Sequence, residues 1–266
     1  MNANVLYALL SVSVVGLLAF LGILSLAMSK KALRATVESL VALAAGAMFG
    51  NAILHLLPES FEHGMAPMTI AYAIAGGFLG CFALVKLIHH FSGGVHHCGD
   101  EPMLDEDAIG EQKPLKDIHS TGFISLIAHS VDNFSDGALI GISYMVSFEL
   151  GMATTIAVVL HEIPMEFGGF GVLVRSGFST RNAVLINLAS AGIAMLGACI
   201  SLFVGMNTEH AIGWLTPVAC GIMLYNSAVG LYPQLLRERS GKTSAVQVAL
   251  VFAGFAVMAL LRVFFG

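Results

Sequence analysis

Eight stretches of roughly twenty apolar residues divide this sequence, and a chain patterned that way has few places to fold but a bilayer. They run about 5–28, 36–57, 67–88, 120–146, 151–174, 182–205, 211–235 and 244–264. An apolar helix of such length matches a hydrocarbon core about 30 Å thick. Composition agrees: 57% of residues are hydrophobic and 11% charged, where soluble domains carry about 25% charged. The expectation is an all-α integral membrane protein of eight transmembrane helices, one transmembrane domain over 1–266 with the lipid bilayer as its solvent. The net charge of −5 argues against a nucleic-acid partner. The run from Val5 to Met28 exceeds the apolar core of a signal peptide, about 7–15 residues, so it reads as the first span. The four cysteines, Cys81, Cys98, Cys199 and Cys220, stand singly and form no CxxC motif.

Basic residues orient the spans. Lys30, Lys31, Arg34, Lys86, Lys113, Lys116, Arg175, Arg181, Arg237, Arg239 and Lys242 all fall beside the loops after the first, third, fifth and seventh stretches. Only Arg262 falls on the other side. The positive-inside rule then places both termini outside, N-out and C-out. The connections at Ser147–Leu150 and Asn207–His210 are short, which makes their helices antiparallel neighbours. One long cytoplasmic loop, 89–119, carries His89, His90, His96, His97, Cys98 and His119 among seven acids. It reads as a solvated linker that also suits metal collection.

The second and seventh stretches repeat each other. Ala44-Ala45-Gly46-x-Met48-x-x-Asn51 recurs as Ala219-Cys220-Gly221-x-Met223-x-x-Asn226, and Leu56 and Pro58 recur as Leu231 and Pro233. The offset is 175 throughout. Stretches five spans apart cross in opposite directions, so this is an inverted 3+2+3 repeat around stretches four and five, a transporter layout with its site at the midplane.

Those central stretches hold the chemistry. His129, Asp132, Asn133 and Asp136 stand at i, i+3, i+4 and i+7, on one helix face. His161 and Met165, and likewise Glu162 and Glu166, stand at i, i+4. A short connection brings both sets to the same depth. An acid at mid-membrane costs about 2.5–3.5 kcal/mol on insertion scales, and no Lys or Arg lies between Lys116 and Arg175 to pair with these four. A divalent cation satisfies them, because carboxylate with imidazole suits Zn²⁺, Fe²⁺ and Mn²⁺. Pro164 also leaves one helix carbonyl without its donor, and Gly137, Gly168 and Gly169 allow close helix approach. A proton relay and a purely structural polar core are the competing readings. A third is a metalloprotease, but His161-Glu162 has Met165 where H-E-x-x-H needs its second His, so no enzyme and no catalytic cofactor are expected.

Asp132-Asn133-Phe134-Ser135-Asp136-Gly137 resembles the His-Asn-x-x-Asp/Glu-Gly motif of ZIP (Zrt-, Irt-like protein) metal transporters. His161-Glu162-Ile163-Pro164-Met165-Glu166-Phe167-Gly168-Gly169 resembles the His-Glu-x-Pro-His-Glu-x-Gly-Asp motif of one subfamily, and His55-Leu56-Leu57-Pro58-Glu59 resembles its second-helix ending. The resemblance implies uptake of divalent metal into the cytoplasm through a binuclear site, zinc first with iron and manganese as alternatives, by a homodimer whose helix bundles shift rigidly. By position, Asp132, Asp136 and Met165 would line the first metal position. Asn133, Asp136 and Glu162 would line the second, with Asp136 bridging. His161 and Glu166 flank them, and His129 offers a replacement nitrogen. Departures from the motif are Asp132 for His, Met165 for His, Gly169 for Asp, and Gly230 and Gln234 where the subfamily tends to acids. They motivate the alternative of a transport-deficient relative acting as a metal sensor or partner subunit. The small share of residues outside the spans points to a bacterial inner membrane.

Overall fold

The computed structural model describes residues 3–91, 115–175, 178–207, 211–236 and 241–265, which are helical almost throughout and include no strand. Helix α1 is Ala3–Leu17, tightening into a 3₁₀ segment at Leu18–Ala27. Helix α2 is Lys30–Asn51, carried on by a π turn at Ala52–Leu56 and a last segment Leu57–Glu62. Helices α3, Pro67–Phe91, α4, Leu115–Val146, α5, Phe148–Arg175, and α6, Thr180–Asn207, follow. Helix α7 is Ala211–Tyr225 with a π turn at Asn226–Leu231 and an ending at Tyr232–Leu235, and α8 is Gly241–Phe265. Seven of these are long and apolar enough to cross a membrane. The seven exclude α4, which is 32 residues long but diluted by its polar face. The His- and acid-rich stretch 92–114 lies outside the described residues, as do the side chains of Asp117 and His119.

Local chemistry sets the boundaries. The expected four-residue turn between α4 and α5 shrinks to Ser147 alone. The Ser147 hydroxyl accepts from the Leu150 amide at 3.1 Å, an N-cap that restarts the helix at once. Ser29 and Ser179 cap α2 and α6 in the same way. In α1 the buried positions change period, from Val5, Ala8, Val12 and Val15 to Ala19, Gly22 and Ser25. The strict spacing of three is that of a 3₁₀ helix, whose side chains eclipse at i and i+3. Small residues there let α1 close on α5, with Gly22 against Phe170 and the Glu166 carbonyl.

The inverted repeat is visible as reciprocal contacts. The Ser227 hydroxyl donates to the Ala45 carbonyl at 3.0 Å, and the Cys220 thiol donates to the Ala52 carbonyl at 3.5 Å. Ala45 matches Cys220 and Ala52 matches Ser227 at the repeat offset, so the same pair of repeat positions meets twice, with α7 supplying the donor and α2 the carbonyl each time. Both π turns sit at matched register, just before Pro58 and Pro233. Neither proline can donate to the carbonyl four residues back, Leu54 or Val229, and a wider i→i+5 turn accommodates that loss. Gly46 of α2 abuts the Val251 carbonyl of α8, while its counterpart Gly221 of α7 abuts the Ile74 carbonyl of α3. The chain thus sorts into two groups: α2 packs on α8 and α3 on α7, while α4 packs on α6, and α1 and α5 join them. The groups meet chiefly where α5 lies along α2, and there Asn51 of α2 donates to the Thr154 hydroxyl of α5 at 3.1 Å.

Candidate metal centre between α4 and α5

Antiparallel helices joined by one residue hold their midpoints at a common depth, and that brings the two polar runs together. His129, Asn133, Asp136, His161, Glu162, Met165 and Glu166 are all buried, none more than 7% exposed. Asp132, on the same face of α4, is half-buried.

Potential ligand atoms form two overlapping groups. Asp136, His161 and Glu162 make one, and His129, Glu162 and Glu166 the other. Within each, the ligand atoms lie within 4.8 Å of one another. Glu162 is common to both. Both carboxylate oxygens of Asp136, Nδ1 of His161 and Oε1 of Glu162 are buried with no hydrogen-bond partner among the described residues. A buried polar atom left without a partner costs about 1–3 kcal/mol, and more when charged. Such atoms on three residues of one compact group fit a cation held by hard and borderline donors.

The second group is tied more closely. His129 Nε2 lies 3.5 Å from Glu166 Oε1. Asn133 Nδ2 donates to the His129 carbonyl at 3.0 Å and stands 3.2 Å from His129 Nε2, which seats Asn133 against the second group. Glu166 accepts from Asn187 Nδ2 at 2.6 Å through Oε2. Asn187 belongs to α6, a helix from which sequence reasoning took no site residue. Its one signal in the sequence was a lone amide inside an apolar run, followed three residues later by Ser190 on the same face.

Asp132 enters neither group. Gln234 turns its amide back onto the Gly230 carbonyl at 2.9 Å. At Gly169 a side-chain carbon would meet no atom within 4 Å, so there is open space where the subfamily motif has Asp.

The family model described as ZIP Zinc transporter matches residues 3–262. Zinc transporter ZIP13 of Danio rerio is 30% identical over 264 residues, covering 85% of this chain and 76% of the relative. Zinc transporter ZIP13 of Mus musculus is 30% identical over 258 residues, covering 85% and 70%. Zinc transporter ZIP13 of Homo sapiens is 29% identical over 268 residues, covering 85% and 71%.

Proposed function

Because this chain belongs to the ZIP zinc transporter family, we propose that it carries divalent metal into the cytoplasm through a two-ion site between α4 and α5. It is a multi-pass integral membrane transporter of divalent metal, not an enzyme. Zinc is the leading substrate, with Fe²⁺ and Mn²⁺ as the others that the donor set admits. The inward direction is what the family resemblance implies; the basic residues gathered beside one set of loops assign only which face is cytoplasmic. A homodimer is the assembly we assign on the family resemblance. The relatives compared are animal proteins, which removes the support for a bacterial inner membrane.

One observation carries the reading: two compact groups of buried ligand atoms share Glu162. One ion sits with Asp136, His161 and Glu162. The other sits with His129, Glu162 and Glu166. Asp132 and Met165 line the approach along the same faces, one turn from His129 and His161. Glu162, rather than Asp136, is then the bridge. Of the two imidazoles missing at positions 132 and 165, His129 replaces one, while His161 is the imidazole that the motif itself carries.

The test is uptake of Zn²⁺, Fe²⁺ and Mn²⁺ by proteoliposomes carrying the purified protein, with Asp136→Ala as control. Saturable zinc flux lost in Asp136→Ala supports the reading. Binding without flux of any ion supports the sensor or partner subunit, which the open space at Gly169 and the back-folded Gln234 favour.

A further inference from the structure

We infer that Asn187 of α6 is a positioning residue for the metal position built on His129, Glu162 and Glu166. The inference rests on the two-ion reading above and extends the site to a third helix.

A glutamate carboxylate turns almost freely about its last bond, which has a broad two-fold profile. At Glu166 that freedom is removed. The 2.6 Å bond from Asn187 Nδ2 takes Oε2, a short charge-assisted contact. The other oxygen, Oε1, is thereby aimed at His129 Nε2, 3.5 Å away. That separation is long for a hydrogen bond. It is the separation of two ligands on one tetrahedral ion, since donors about 2.0–2.2 Å from zinc stand about 3.3–3.6 Å apart at the tetrahedral angle. Asn187 therefore leaves Glu166 one oxygen for metal and presents it at the edge the imidazole completes.

The contact is poorly explained as a tie between helices. Helix α6 packs chiefly on α4 and α1, and only lightly on α5, the helix that carries Glu166. Asn187 is 2% exposed, so its amide is sealed in with the carboxylate. One turn further on the same face, Ser190 Oγ is buried with no hydrogen-bond partner among the described residues. The face of α6 turned inward is thus polar at two positions one turn apart, Asn187 and Ser190.

The experiment is zinc titration of the purified wild-type protein and of Asn187→Leu and Asn187→His by calorimetry, with thermal melting alongside. Asn187→Leu keeps the volume and removes the donor. It should weaken one of the two zinc positions by about 10–100-fold, as loss of a partner to a ligating carboxylate does, and leave the other within about twofold. Asn187→His restores an N–H donor and should recover the weakened position. If both positions weaken together with the melting temperature, Asn187 is a structural tie and the inference fails. It fails equally if neither position moves. Should Asn187→Leu not fold, Asn187→Ser is polar but too short to reach Glu166 and carries the same expectation. Calorimetry reads binding, so absence of zinc flux in the wild type would overturn transport without touching this result. Absence of two wild-type zinc positions would overturn both.

Discussion

Sharing of Glu162 by both groups can be tested by counting ions. Glu162→Gln keeps shape and removes one buried charge. Two unit charges 4 Å apart interact by about 4 kcal/mol at the effective dielectric of protein sites, so a dication loses about 8 kcal/mol of attraction. The amide oxygen of Gln still faces the ion as a neutral donor, and its dipole restores part of that attraction. The remainder, roughly 3 kcal/mol, corresponds to about a hundredfold in affinity. Because Glu162 belongs to both groups, both positions should weaken by that factor. Asp136→Asn removes a carboxylate that belongs to one group alone, so one tight position should survive. Calorimetric titration with zinc in detergent reads the stoichiometry directly. The reasoning is refuted if Glu162→Gln retains one tight ion while Asp136→Asn loses both, because Asp136 would then be the bridge that the family resemblance implies.

Three other outcomes follow from the same geometry. Met165→His places an imidazole on a buried turn of α5 beside His161 and should raise zinc affinity about tenfold in uptake assays, as a borderline donor replaces a soft one; unchanged affinity would remove Met165 from the site. Gly169→Asp should fold with a melting temperature close to wild type, since a side-chain carbon there meets no atom within 4 Å, and zinc binding that improves would place the open space beside the metal. Gly46→Ala drives a methyl into the Val251 carbonyl of α8, whereas Gly80→Ala meets nothing within 4 Å; the first should lower stability by about 1–3 kcal/mol through overpacking, the second should be near neutral, and thermal melts in detergent compare them.

The helices, and the pair of them that matters, were legible because a bilayer allows so few solutions. Twenty apolar residues must be a helix, and carboxylates inside such runs must have a reason. The i, i+3, i+4, i+7 spacing from His129 to Asp136 gave a face, and the short link to α5 gave a common depth. What escaped were features set by contacts between distant segments. Near Asn187 only Ser190, one turn on, hints at a polar face, and nothing there points to Glu166, because the bond spans two helices. The connection expected over Ser147–Leu150 is Ser147 alone, because that residue both ends one helix and caps the next. The 3₁₀ segment of α1 was written in the spacing of Ala19, Gly22 and Ser25, but small residues every three positions suit close packing of an α-helix nearly as well. The π turns could be inferred from Pro58 and Pro233 only as a local disturbance, and their matched register emerges once the helices are built.

Charge balance ties the site to its task. The carboxylates of the two groups, Asp136, Glu162 and Glu166, bring at most three negative charges, and a single divalent ion would leave one of them uncompensated where an isolated ion costs several kcal/mol. On the two-ion reading both positions fill, and sharing Glu162 weakens each ion's hold, because ions bridged by it stand close enough to repel. A transporter needs both properties, since its site must be favourable enough to fill and divided enough to empty. A structural metal would be better served by a closed set of four unshared ligands. The bridging carboxylate thus argues for cargo over a resident ion, and Asn187, by fixing one carboxylate of the cluster from a third helix, keeps one position formed while its neighbour exchanges.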